Sequence, residues 1–382
     1  MSNPLIDVQK YGQSIWYDNI RRGILTSGEL KGLVDNDGLL GVTSNPAIFE
    51  KAVGGSDDYD GDLRTLVGNG VKEPMDLYEA LAIEDIQLAA DILHPVFVDT
   101  KGRDGYVSFE VSPYLAADTD GTVEYARRVH KQIGRENILI KVPGTPEGMP
   151  AIRTLIGEGI SVNVTLLFSV SAYEDCSEAY IAGLEDAAAA GRDLSKIASV
   201  ASFFISRIDS LADSRIGEAL AQQEDAVKRR AIESLQGRIA VANGMIAYAS
   251  YQETVAGKRW SALAAAGATS QRVLWASTST KNPDYPKLKY VEELIGEDTV
   301  NTIPAATFDA YREEGHPTPA LQTDWEAKLD EAREIMTALE KLGISMDRIT
   351  DELLVDGVRQ FSEAFGVLLA SVESKRDAIV GN

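Results

Sequence analysis

Residues 136–145 read ENILIKVPGT: a short apolar strand, Ile138–Val142, with Lys141 set inside it. Strands buried on both faces are near-continuous runs of Val, Ile and Leu, so an ammonium group in this one needs a reason. Taken alone it has two. Lysine blunts exposed sheet edges against aggregation, and its long stem can carry the charge to water from a strand end. The choice depends on the kind of sheet this strand joins.

Short β-rich runs alternate with helical patterns along the whole chain. The strand candidates are 14–18 (SIWYD), 41–45 (GVTSN), 106–111 (YVSFEV), 138–142 (ILIKV), 161–165 (SVNVT), 199–204 (SVASFF), 272–278 (RVLWAST) and 300–305 (VNTIPA). Amphipathic stretches at 74–93, 122–133 and 149–156 lie between them. Strand–helix alternation means parallel pairing with right-handed crossovers, and eight such strands fit a closed (β/α)8 TIM barrel. A doubly wound open sheet is the runner-up, without an evident phosphate-binding glycine turn. The 382 residues exceed the roughly 250 typical of the barrel. The excess reads as helix in two places: 205–270, between the sixth and seventh strands, and a tail from about Phe308 to Arg376. No linker or internal repeat breaks the chain, so a single barrel domain over 1–382 is expected.

Side chains two apart in a strand share a face. That groups Leu139 with Lys141, Ser108 with Glu110, Asn163 with Thr165, Thr43 with Asn45, and Trp16 with Asp18, each opposite an apolar face. In a barrel the apolar faces meet the helices. The set Asp18, Asn45, Glu110, Lys141, Asn163 and Thr165 then rings the mouth at the strands' C-terminal ends, where barrel enzymes keep their chemistry. Each could be a strand cap or turn former alone; six on one rim point to a site. A closed barrel also has no edge for Lys141 to blunt. Desolvation there disfavours the ammonium, Glu110 opposes that, and a neutral amine can form a Schiff base with a carbonyl.

Composition narrows the partners. The apolar share is 44% and the formal net charge −22, with 59 acidic against 37 basic residues. Nucleic acid and anionic membranes both need a positive face, so neither is expected. A small anionic substrate would require a locally basic pocket. The single cysteine, Cys176, allows no intrachain disulfide, the N-terminal MSNPLIDVQKYGQS lacks a signal peptide's apolar core, and no apolar run approaches the roughly 20 residues that span a bilayer. A cytoplasmic protein is expected. His94, His130 and His316 are far apart, and no HxxxH, CxxC, acidic calcium loop or GxGxxG occurs. No metal or cofactor is expected.

These residues resemble the transaldolase family, Schiff-base (class I) barrels of the pentose phosphate pathway. The likeness is carried by GVTSNPAIF (41–49) and ILIKVPGTPEGMPAIRTLIGEGISVNVTLLFS (138–169), two long motifs in the family's order. WYD at Asp18, VSFEV at Glu110, SVASFFISRIDS (199–210) and VLWASTSTKNPDYP (273–286) add to it. The likeness runs from about residue 14 to 376, and the helical insert is similar to that of the longer bacterial subgroup.

The resemblance implies that Lys141 forms the Schiff base, Asp18 takes the C4 hydroxyl proton, and Glu110 moves protons through a water held by Thr165. It implies substrate contacts for Asn45, Asn163, Ser202 and Phe204, and a phosphate site at Arg207 and Ser277. Where much of the family has an arginine two residues after that serine, this chain has Ser279, with Lys281 two further on. Lys281 could supply the second charge, without arginine's bidentate fork. The implied substrates are sugar phosphates. An aldolase releasing free dihydroxyacetone and a catalytically silent sugar-phosphate-binding barrel stand as alternatives. The oligomeric state, the role of the insert and the position of the tail are left open.

Overall fold

A computed structural model describes residues 3–381. Eight parallel strands close on themselves in sequence order: β1 (Gln13–Asp18), β2 (Gly41–Thr43), β3 (Tyr106–Glu110), β4 (Ile138–Pro143), β5 (Val162–Leu167), β6 (Ser199–Phe204), β7 (Arg272–Ala276) and β8 (Thr299–Ile303). This is the (β/α)8 barrel, and each expected run contains or overlaps its strand. Helices join the strands and cover the sheet outside, and one hydrophobic cluster takes in side chains from Leu5 to Val372.

Closure needs inward side chains that fill the centre in layers. Trp16 fills a large part of its layer and is fully buried. The facing position on β2 is Gly41, paired with Trp16; a Cβ there would lie 2.5 Å from the indole Cδ2. The lower end is closed by polar groups. Asp104, just before β3, accepts from Ser14 Oγ at 2.8 Å and from Trp16 Nε1 and Arg272 Nη2 at 2.9 Å each. Arg272 also donates to Ser14 Oγ at 2.8 Å and to the Arg103 carbonyl at 2.6 Å. Every charge in this plug is matched by a hydrogen bond, the condition under which a buried ion pair is tolerated.

The two additions are helical. The insert forms Ser206–Gln222, Ala226–Glu233, Ile239–Val255 and Lys258–Ala265. Asp209 ties it together, accepting from the Ala240 amide at 2.7 Å and from Tyr290 Oη at 2.8 Å. The tail forms Trp325–Lys341 and a 35-residue helix, Met346–Val380. At 1.5 Å per residue that helix is about 52 Å long. It packs along the β2 side of the mouth, on the helix Pro46–Phe49 and the π-turn Glu50–Gly54. Phe365 stands edge-on to Tyr78 and Tyr114 at 5.3 and 5.4 Å.

At the top of β5 the register against β6 shifts between Val164 and Leu167, and Leu166 has φ 61°. A left-handed leucine is strained. It is held by packing, because Gly357 of the C-terminal helix lies against it; a Cβ on Gly357 would come within 2.9 Å of Leu166 Cδ2.

Asp104→Ala leaves the Arg272 guanidinium buried without its carboxylate. Stability is expected to fall by about 3–5 kcal/mol in urea titrations, while activity per folded molecule is retained, since the plug lies at the opposite end of the barrel from Lys141.

Candidate active site

The C-terminal ends of the strands open into a cavity of about 580 Å³. Nine of the eleven residues singled out from the sequence line it: Asp18, Asn45, Lys141, Thr165, Ser202, Phe204, Arg207, Ser277 and Lys281. Glu110 and Asn163 are not part of the lining; both are buried beside Lys141.

Lys141 stands on β4 directly beside Glu110 on β3 and Asn163 on β5. Its side chain is only 6% exposed and that of Glu110 3%. Nζ donates to the Ser44 carbonyl at 3.1 Å and lies 3.2 Å from Glu110 Oε2. Neither Glu110 oxygen has a well-aligned hydrogen-bond donor, and the buried Thr165 Oγ1 has no protein partner. Burial pushes the Glu110 carboxyl up to about 7, against the pull of the Lys141 charge. The Asp18 carboxyl is also raised by desolvation, with Lys141 and Thr43 opposing. Thr43 Oγ1 donates to Asp18 Oδ1 at 2.7 Å and lies 2.6 Å from Thr302 Oγ1, so Thr302 is left to donate to Thr43.

Below the floor a short chain crosses the barrel. Ser202 Oγ donates to Asn163 Oδ1 at 2.7 Å, and Asn163 Nδ2 donates to Ser108 Oγ at 3.0 Å. Asn163 thereby fixes the orientation of Ser202, which does line the cavity. Asn45 has two duties: its Oδ1 caps the helix Pro46–Phe49 by accepting from the Ile48 amide at 3.0 Å, and its side chain borders the cavity.

The opposite end is cationic. Arg207, in the first turn of Ser206–Gln222, has a buried Nη1 without a partner and its guanidinium carbon 5.5 Å from the Phe204 ring. Desolvation lowers its pKa, and Asp356 partly offsets this. The Lys281 pKa is lowered by desolvation and then by the Arg207 charge. Ser279 Oγ accepts from Lys281 Nζ at 2.8 Å and so steadies that charge. Ser277, at φ 56°, lies 3.0 Å from Ser206 Oγ. No ion pair among the described residues engages Arg207 or Lys281. Two cations facing one cavity without a carboxylate partner suit a doubly charged anion.

Several lining residues were not among the candidates chosen from the sequence: Thr43, Thr302, Arg21, Lys51 and Phe361. Thr43 shares a face with Asn45 and was within reach of the alternation argument. Phe361 was not: it belongs to the apolar stripe of the C-terminal helix, and its ring centroid lies 5.9 Å from Lys141 Nζ. Among the described residues no cluster of three or more His, Cys, Asp or Glu side chains is placed to hold a metal ion. No helix there is long and apolar enough to cross a membrane.

A carboxyl with a raised folded-state pKa binds its proton more tightly when folded. Glu110's contribution to stability is therefore full below pH 4.5 and lost as pH climbs towards about 7. Glu110→Gln cannot ionise, so its urea midpoint should gain on the wild type between pH 4.5 and 7 and level off above. A pH-independent difference would contradict the desolvation described.

Comparison with known proteins agrees with this geometry. Residues 15–372 match the family model described as transaldolase/fructose-6-phosphate aldolase. The chain is 47% identical over 377 residues to a transaldolase of Trichodesmium erythraeum, with 98% of each covered. It is 46% identical to transaldolase 2 of Nostoc punctiforme, again covering 98% of both, and 44% identical to a transaldolase of Thermobifida fusca, covering 97% of this chain and 98% of that one. A closed eight-stranded barrel, a lysine buried against a carboxylate at its mouth and a full-length match together make this chain a member of the transaldolase/fructose-6-phosphate aldolase family.

Proposed function

We propose that the chain moves a three-carbon dihydroxyacetone unit between sugar phosphates through a Schiff base on Lys141, with the whole chain acting as one barrel domain. In the pentose phosphate pathway this takes sedoheptulose 7-phosphate and glyceraldehyde 3-phosphate to erythrose 4-phosphate and fructose 6-phosphate. The observation that carries the reading is one arrangement. A lysine buried 3.2 Å from Glu110 shares a cavity with Asp18, Arg207 and Lys281.

The ketose phosphate binds with its phosphate at Arg207, Ser277 and Lys281 and its carbonyl at Lys141. The amine nitrogen attacks the carbonyl carbon, and loss of water leaves an iminium. Glu110, with its pKa near 7, gives and takes protons in those steps at neutral pH, and Thr165 Oγ1 helps to hold the water that carries them. Asp18 then removes the C4 hydroxyl proton. Desolvation strengthens it as a base, and Thr43 fixes its direction. The C3–C4 bond breaks, its electrons flow into the iminium, and the aldose phosphate leaves. The enamine stays on Lys141 until a second aldose phosphate accepts the fragment by the reverse steps. Asn45 and Ser202 hold substrate hydroxyls, Asn163 acts through Ser202, and Phe204 forms the wall beside Arg207.

Borohydride reduction in the presence of fructose 6-phosphate should leave a mass adduct on the peptide containing Lys141, and none in Lys141→Ala. Asp18→Ala and Glu110→Ala should each slow turnover by about 10²–10⁴-fold. Arg207→Ala should raise KM for phosphorylated substrates more than it lowers kcat. An adduct on another lysine, or an unchanged KM, would overturn the assignment.

A further inference from the structure

We propose that Phe361 is a specificity-determining residue: its ring roofs the Lys141 adduct, keeps water from it, and so favours transfer of the fragment over its release. This rests on the function proposed above. Phe361 is the one residue lining the cavity that comes from the C-terminal helix; the others belong to the barrel strands and the segments that follow them. The residue is 7% exposed, with its ring centroid 5.9 Å from Nζ.

The helix is held on either side of Phe361. One turn before it, Gly357 rests on the left-handed Leu166, the residue after Thr165. One turn beyond it, Phe365 is wedged between Tyr78 and Tyr114. At the far end of the helix, Lys375 Nζ donates to Asp60 Oδ1 at 2.8 Å and to the Ser56 carbonyl at 2.6 Å. A side chain fixed this firmly over the reacting nitrogen is a built cover.

Once the aldose has left, the enamine has two fates. Its carbon can attack an acceptor aldehyde, or it can take a proton from the Asp18 carboxyl to give the dihydroxyacetone iminium. Water then adds to the iminium carbon, a C–O bond forms, and a proton is lost. Collapse of the carbinolamine breaks the C–N bond. The net change is enamine plus water to lysine amine plus free dihydroxyacetone. Both fates end by hydrolysing an iminium, but release does so on the short fragment before an acceptor has been joined. An apolar ring over the nitrogen slows the addition of water at that stage, and its π face favours the cationic iminium over the hydrolysed amine.

The experiment compares two rates on one preparation: dihydroxyacetone released from fructose 6-phosphate alone, and transfer from fructose 6-phosphate to added erythrose 4-phosphate, read as sedoheptulose 7-phosphate formed. Partial unfolding lowers both and leaves their ratio untouched. Phe361→Ala should raise the release-to-transfer ratio about tenfold, as expected for opening a desolvated cation site. Phe361→Leu, which keeps the apolar cover, should stay within about twofold of wild type. Phe361→Val is held to the criterion of a raised ratio should the alanine variant not fold. An unchanged ratio in the truncated variant, or a leucine variant as leaky as alanine, would overturn the proposal. Borohydride trapping separates the two readings: if the wild type gives no adduct the proposed function fails, whereas an adduct with an unmoved ratio sinks only the role of Phe361.

Discussion

The site depends on placing one ammonium-bearing chain and two carboxyls in a space nearly closed to water. Lys141 and Glu110 are both almost wholly buried and 3.2 Å apart, and Asp18 stands at the same mouth. Charges so enclosed interact far more strongly than they would in water, and each carries a desolvation cost that only its neighbours offset. Both carboxyls are pushed upward by burial and pulled back by the lysine. Passing one proton from the lysine to Glu110 would convert a buried ion pair into a neutral pair. A neutral amine is the form that can act as a nucleophile.

The rest of the barrel keeps that arrangement rigid. Trp16, Gly41 and the Asp104–Arg272 plug fill the lower layers, so the side chains above have a firm base. The Ser202–Asn163–Ser108 chain ties β6, β5 and β3 across the centre, with Asn163 paired beside Lys141. The formal charge of −22 does not prevent an anionic substrate, because exposed charges beyond about 8 Å are largely screened at physiological salt. What matters locally is that Arg207 and Lys281 face the cavity and each has a lowered pKa. The two cations weaken each other's proton hold, and an anion between them would ease that repulsion.

The strands were legible because parallel strands buried on both faces leave a strong apolar signal, and the polar rim because alternation separates inward from outward positions. The same logic assigned Glu110 and Asn163 to the mouth without giving their depth. Whether a polar side chain reaches the cavity wall or stops beneath it depends on barrel stagger, which alternation does not encode. The Leu166 bulge was invisible because no residue type announces a left-handed leucine. Phe361 was hidden for another reason. In the run Gly357, Phe361, Phe365, Leu368, Val372 every member fits a core stripe, and only the path of the helix makes one of them a roof.

The two helical additions then have complementary structural roles. The insert is anchored where Asp209, two residues after Arg207, accepts from the first turn of Ile239–Val255 and from Tyr290, in the segment that follows the Lys281 loop. One buried carboxylate thus joins the helix carrying Arg207, the insert and the segment beyond Lys281. Its own pKa is raised by burial to about 6, so the joint is costly enough that it must be fully hydrogen-bonded to persist. The tail meets both regions: Glu352 pairs with Arg215 of the helix that carries Arg207 at 3.0 Å, and Gly357 packs on the left-handed Leu166, next to Thr165. Extra length outside a barrel that already closes by itself therefore braces the cavity: the insert at its cationic end, the tail there and beside Lys141 as well.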